Sequence, residues 1–522
     1  MSRVIDRRGA LAGVALGLLL AAAGCGSSSG SGDADPAELA PASAPIYAEA
    51  TIDPTGEQET AVRSIIERFP GGAESGGTVE GLLERGFEAS DTKLSFAGDV
   101  RPWLGGRVGG FVTGATENDG DGAVAIATTN DEAARDALEK ELAGEAEERS
   151  YEGSDYLFRG DEDTAAGIVE GFLVIGTEAG FRAAVDAAGG ESLVDSDRFT
   201  TAIDRLSSDR LAALYLDIAR VLEIASLDEE LSGPEGEVTK RILELAGDAP
   251  LAVTLSAESD AIVLDSATTG RPGIFASPAL GFGEGTELLA ELPGDSWFAI
   301  GAPELGETAS AVLDSLGSVP GLDRESLAAA LKAQTGLDLD RDVLGWIGDF
   351  AVFARGTDRQ SISGGVVLET TDDAASRRAL EALEQLVRKE DPGSVVRTSV
   401  GGADDGFALE DPSLPEPINV VQGGDRVVIG YGDEATEAAL DPESTLEEEP
   451  DFQAATEGLG EGYVASGFVA VEPILALAES FGADSDPEYA QARPILEQFA
   501  HLIAGSRQDG ETVLSRSRVQ LK

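Results

Sequence analysis

With 97 acidic against 37 basic residues, this 522-residue chain carries a formal charge of -60. Such a surface repels phosphate backbones and anionic lipid headgroups, which excludes a nucleic-acid partner. One cysteine and one histidine, Cys25 and His501, further exclude an intramolecular disulfide, a Cys/His metal centre and most histidine-based triads.

The first 24 residues read as a lipoprotein signal peptide. A basic start, "MSRVIDRR", precedes the apolar run "ALAGVALGLLLAAA", which is short for a membrane span and suited to a secretory hydrophobic segment. Small residues Ala22, Ala23 and Gly24 lead into Cys25. This resembles the lipobox of bacterial lipoproteins, with Ala22 where Leu is more usual. The resemblance implies a diacylglyceryl group on the Cys25 thiol and cleavage that leaves Cys25 as the mature N-terminus. Two acyl chains hold far better than one, each buried methylene contributing roughly 0.8 kcal/mol. Residues 25–40, "CGSSSGSGDADPAELA", are Gly/Ser-rich and then Pro/Ala-bearing, the composition of a flexible tether. Arg7 and Arg8 leave the export route open between the general secretory and twin-arginine pathways.

Beyond the tether the chain reads as two tandem modules, 41–269 and 288–522, joined by a Gly/Pro-rich linker over 270–287. In the first, an apolar strand leads into a helix whose Val62, Ile65, Ile66 and Phe69 fall on one stripe. In the second, Val312, Leu316 and Val319 take that role. "DVRPWLG" at 99–105 and "DVLGWIG" at 342–348 share a frame, each followed by a hairpin and a helix. The helix over 131–142 buries Ala134, Leu138 and Leu142, and Thr129 with Glu132 has the spacing of a capping box. Both halves close on a hairpin, 251–269 and 502–521. Hairpins with polar turns favour α+β, each module a mainly antiparallel sheet covered by helices.

No stretch carries a decisive catalytic motif. "GSSSG" at 26–30 matches a nucleophile-elbow pattern without its strand-to-helix setting. "GGRVGG" at 105–110 runs into the strand-like "FVTGA", whereas a phosphate loop needs a helix. Within "NDGDG" at 118–122, Asp119 and Asp121 are candidate calcium ligands, but the acidic residue that closes a calcium loop is missing. A solvated hairpin turn is the competing reading. Close carboxylate pairs carry little information among 97 acidic residues, and a structural or surface role is expected for His501. Trp103 and Trp346 could stack a flat ligand, yet each lies between aliphatics and glycines before a strand, where a large side chain plugs a core.

The strand openings "APASAPIYAEATIDPTG" and "ELPGDSWFAIGAPELG", with the two Trp-aliphatic-Gly frames, are similar to an actinobacterial-type lipoprotein family defined only as domain of unknown function 3352. That resemblance implies an envelope location and assigns no activity or site residue. The expected function is that of a non-catalytic lipoprotein on the extracytoplasmic face of the cell membrane, held there through the lipid on Cys25, without cofactor. It would bind an envelope protein or a small-molecule ligand, with the junction of the modules as the default site. A solute-binding component of a transporter and a carboxylate-based envelope hydrolase are the alternatives.

Overall fold

The computed structural model describes residues 34–70, 92–115, 120–142, 146–227, 249–269, 284–315 and 323–522, with Gly144 and a few positions between 78 and 91. The signal segment, Cys25, "GSSSG" and Asp119 lie outside the described residues. The chain divides into two compact units, the described residues up to 269 forming the first and those from 284 onward the second.

The first unit runs β1 (Ile46–Thr51), α1 (Gly56–Arg68), β2 (Leu104–Ala115), β3 (Gly120–Thr128), α2 (Asp131–Leu142), β4 (Glu147–Tyr151), β5 (Ser154–Arg159), β6 (Thr164–Val169), β7 (Phe172–Thr177) and α3 (Glu178–Ala188). It continues through α4 (Asp197–Ile203), β8 (Ala212–Asp217), α5 (Ile218–Leu227), β9 (Pro250–Glu258) and β10 (Ala261–Thr269). Its strands pair antiparallel in the order β4-β5-β6-β7-β3-β2-β1-β8-β9-β10. Alternate residues point to one sheet face, where Tyr47, Phe111, Ala125, Val174 and Tyr215 meet Phe181 and Ala184 of α3 and Phe199 of α4. On the other face Trp103, Phe96 and Val100 pack with Ala134, Leu138 and Leu142 of α2.

The second unit runs β11 (Ser296–Ala302), α6 (Leu305–Ser315), α7 (Arg324–Thr335), β12 (Ile347–Arg355), β13 (Ser363–Thr370), α8 (Asp373–Glu390), β14 (Val395–Arg397), β15 (Asp405–Leu409), β16 (Ile418–Gly423), β17 (Arg426–Tyr431) and α9 (Asp433–Leu440). It ends with α10 (Pro450–Leu459), β18 (Val464–Ala470), α11 (Val471–Ser480), α12 (Pro487–Leu496), β19 (Phe499–Asp509) and β20 (Thr512–Leu521). The pairing order is β14-β15-β16-β17-β13-β12-β11-β18-β19-β20, again antiparallel. Ala299, Ala351, Phe353, Val367 and Val428 form the inner face with Phe452, Ala455 and Leu459 of α10. The chain is therefore α+β, with helices on antiparallel sheets.

Three details depart from the sequence reading. Residues 36–40, assigned to the tether, are packed: Pro36–Leu39 form one 3-10 turn in which Ala37 and Leu39 are buried, capped by the Asp35 carboxylate on the Ala37 N–H. Packing of the first unit thus already includes Ala34, and that of the second includes residues before 288, with Thr286 capping a turn over Glu287–Leu289. Both turns are too short for periodicity to reveal them. Helix α2 is capped not by Thr129 but by Asn130, whose side chain accepts from the Ala133 N–H at 3.1 Å.

Candidate functional site

The two tryptophans lie in the interior, 4% and 5% exposed. Trp103 packs on α2, and Trp346 packs with Ala375 and Leu380 of α8 and with Phe407 and Val420 of the sheet. Each indole N–H donates to a backbone carbonyl four residues back, and each ring is packed in a core. "GGRVGG" lies inside β2, and the next element among the described residues is the strand β3. Asp121 accepts from the Thr177 hydroxyl at 3.2 Å, and no group of three or more acidic or histidine side chains able to hold a metal occurs among the described residues. His501 is half-buried on β19, 6.1 Å ring to ring from Phe468; burial pushes its imidazole below the usual value, with Asp451 opposing and Arg518 reinforcing.

The most concentrated chemistry of the first unit is one that the sequence reading passed over. Glu49, on the inner face of β1, is 5% exposed. It accepts from Tyr47 Oη at 3.0 Å, from Arg107 Nη2 at 2.6 Å and from Arg210 Nε and Nη2 at 3.2 and 2.8 Å. Arg107 also reaches the Asp35 carboxylate at 3.5 Å. Burial, and then the Glu49 and Asp35 carboxylates, push the Tyr47 phenol well above its ordinary range. A signal was present in "IYAEAT": Glu49 shares the parity of Tyr47, so a carboxylate faces a core. Its guanidinium partners stand far along the chain and no local pattern names them.

The register places Asp349 of β12 where β2 has Arg107, each two residues before an inner-face position opposite β1 or β11. Asp349 accepts from the Thr286 hydroxyl at 2.5 Å and from the Glu304 N–H at 3.1 Å. Beside it on β13, the Glu369 carboxyl is raised by burial and by Asp349, Glu291 and Asp425. Both acidic positions sit at the rim of the inner core, and Asp349 is already held by two donors. A cavity of about 450 Å³ at the N-terminus of α1 is lined by Gly56, Gln58, Ala61, Ala257 and Ser259. There the Gln58 amide pairs both ways with the Ala257 backbone, at 3.1 and 2.9 Å, extending the edge of β9 past the end of β8. These groups are engaged with one another.

The model of a family described as "Protein of unknown function (DUF3352)" matches residues 9–519. No curated protein matches the chain. Two solved structures, crystal forms IV and I of TP0453, are similar to part of it, at 11% and 13% identity and TM-scores of 0.25 and 0.24. They cover 45% and 46% of this chain and 80% and 81% of their own. Likeness at that level carries no argument about function.

Proposed function

Since this chain belongs to the DUF3352 family, we propose that it is a lipid-anchored lipoprotein of the extracytoplasmic face, built from a duplicated module, that binds an envelope partner or ligand and catalyses no reaction. The observation that carries the reading is the strap at the start of the first unit. From Asp35 to Pro45 the chain is sewn into the fold: Ala37, Leu39, Ala40 and Ala44 are at most 1% exposed. Arg220 Nη1 donates to the Ala42 carbonyl at 3.0 Å, and the Leu193 N–H donates to Ala40 at 2.7 Å. Cys25 stands ten residues before this fixed point. Extended chain spans at most about 3.3–3.6 Å per residue, so a lipid on Cys25 would hold the unit within roughly 35 Å of the bilayer.

Duplication is supported by recurrence at equivalent places. The pairing order of the two sheets is the same, and each unit opens with a capped 3-10 turn. Isolated bridges join Pro41 to Ser192 and Pro293 to Thr445. Capping boxes follow at Ser192 with Asp195 and at Thr445 with Glu448. Membrane fractionation of cells producing the wild type and Cys25→Ala tests the anchor. The substituted chain should leave the membrane fraction; an unchanged distribution would refute lipidation as the attachment.

A further inference from the structure

The outer face of the second unit's sheet, away from the inner core, is apolar across four strands and incompletely covered. Ile300 of β11 faces Val352 of β12, Val352 faces Val366 of β13, and Val366 faces Ile429 of β17. At about 4.8 Å per strand this row is about 14 Å across. Ile300, Val352 and Val366 are half-buried, and Ile429 is 37% exposed although its strand is hydrogen-bonded on both sides. One strand further, Val420 is 4% exposed, because α8 covers it. At the matching register the first unit has Ala48, Gly110, Val124 and Ile175, smaller at two of four positions, with no exposed large apolar residue.

The turn between β12 and β13, at one end of this floor, presents a cation. Arg359 is exposed, donates Nη2 to the Phe481 carbonyl at 3.0 Å and lies 4.7 Å from the centroid of the Phe481 ring, itself 54% exposed. Among the described residues Arg359 forms no ion pair, in a chain of charge -60. We propose that this face binds a single-chain fatty acid, its hydrocarbon on Ile300, Val352, Val366 and Ile429 and its carboxylate at Arg359. The floor offers no charge, so the part of the ligand upon it is apolar. Every floor strand is paired on both sides, so a peptide cannot add to it by backbone hydrogen bonds. The guanidinium, held by the Phe481 carbonyl and ring but facing no carboxylate among the described residues, complements one anionic end. This assigns a ligand to the binding role proposed above and rests on that role, whereas the anchor stands independently of it.

The test titrates dansyl-undecanoic acid and its methyl ester into the full chain carrying Cys25→Ala, which can hold no lipid of its own on that residue. Saturable binding of one acid per chain is expected, weakened about tenfold or more by Ile429→Asp, since an aliphatic contact is replaced by a charge. Arg359→Gln should weaken the acid severalfold and leave the ester unchanged. Ile175→Asp, on the equivalent strand of the first unit, should leave both unchanged. Melting curves verify folding, and alanine replaces aspartate at either position where the Asp variant unfolds, Ile175 being packed beside the first unit's outer core. Absence of saturable binding to the parent overturns the proposal, as does equal binding by a folded Ile429 variant or equal loss in Ile175→Asp. A concentration-dependent dimer abolished by Ile429→Asp would overturn it too, making the face a contact between copies. A chain that fractionates with membranes through Cys25 yet binds no fatty acid would sink this ligand and leave the anchor standing.

Discussion

Trp103 donates its indole N–H to the carbonyl of Asp99 across 2.6 Å, and Trp346 repeats the bond to Asp342 at 3.2 Å. Each bond closes a wide helical turn, Phe96–Val100 or Leu339–Leu344, onto the strand that follows. The tryptophan's own carbonyl then accepts from Thr129 or Thr371 at 2.8 Å, fixing the start of the hairpin-to-helix connection. The ring is at once a core plug and a backbone tie.

Trp346→Ala should therefore destabilise the second unit by about 3–5 kcal/mol, the range for deleting a large buried aromatic. Trp346→Phe, which loses the N–H but keeps much of the volume, should cost less. Urea unfolding followed by far-UV circular dichroism measures both. A variant as stable as the parent would mean that the indole does not hold the fold, and would reopen its use as a ligand platform.

Glu49 gives a second prediction. Its carboxylate is 6% exposed and faces Arg107 and Arg210, whose side chains are 24% and 18% exposed. Glu49→Gln leaves Arg210 without its carboxylate and Arg107 with Asp35 alone, at 3.5 Å, so it should cost about 3–5 kcal/mol, the range for breaking a buried pair. Replacing Glu49 and both arginines together by apolar residues should recover part of that loss, because desolvation of all three charges is avoided. Thermal melts of the single and triple variants decide it. A triple variant weaker than the single one would mean that the cluster contributes net stability.

The fold was readable in the sequence where neighbours in the chain are neighbours in space. Of the stripe Val62, Ile65, Ile66 and Phe69, the first three lie on the buried side of α1 and Phe69 caps its end in extended backbone, half-buried; Ala134, Leu138 and Leu142 lie on the buried side of α2. Antiparallel sheet followed from hairpins whose turns are polar. What escaped depends on distant contacts. The turn Pro36–Leu39 is too short for periodicity to announce burial, and is buried because Gly109 of β2 makes room for it. The Glu49 cluster gathers residues from β1, from β2 and from the approach to β8, a meeting set by strand order that no local spacing encodes. The outer face of the second sheet was hidden differently: Ile300, Val352, Val366 and Ile429 each look like ordinary strand aliphatics until the register aligns them.

Gly109 supplies the third prediction. A Cβ there would stand 2.5 Å from the Pro36 Cβ and 3.1 Å from the Tyr47 hydroxyl, far inside contact distance. Neither neighbour yields easily, since Pro36 opens a capped turn and Tyr47 is 1% exposed. Gly109→Ala should cost about 1–3 kcal/mol by overpacking. It should also expose residues 35–45 to protease earlier than the rest of the unit. Global loss of stability without preferential cleavage there would place the strain elsewhere.

His501 gives the pH dependence, and being the only histidine it can be read without ambiguity. Burial against β18 and the Phe468 ring disfavours its charged form and Arg518 of β20 adds repulsion, while Asp451 of α10 opposes both; the net direction is downward. An unfolded histidine titrates near 6.5, so below that value the unfolded chain binds a proton that the folded chain resists. The contribution of neutral His501 is thus complete above about pH 6.5 and is lost as pH falls through its lower folded value. Replacing it by Gln removes a group that must be neutral in the folded state. The stability of His501→Gln should therefore fall less steeply than the parent's as pH drops below about 6.5. The imidazole resonance of the folded parent should titrate below 6.5 in a carbon–proton correlation spectrum of histidine-labelled protein. A midpoint at or above 6.5 would mean that Asp451 outweighs burial and Arg518, and would reverse the sign of the stability change.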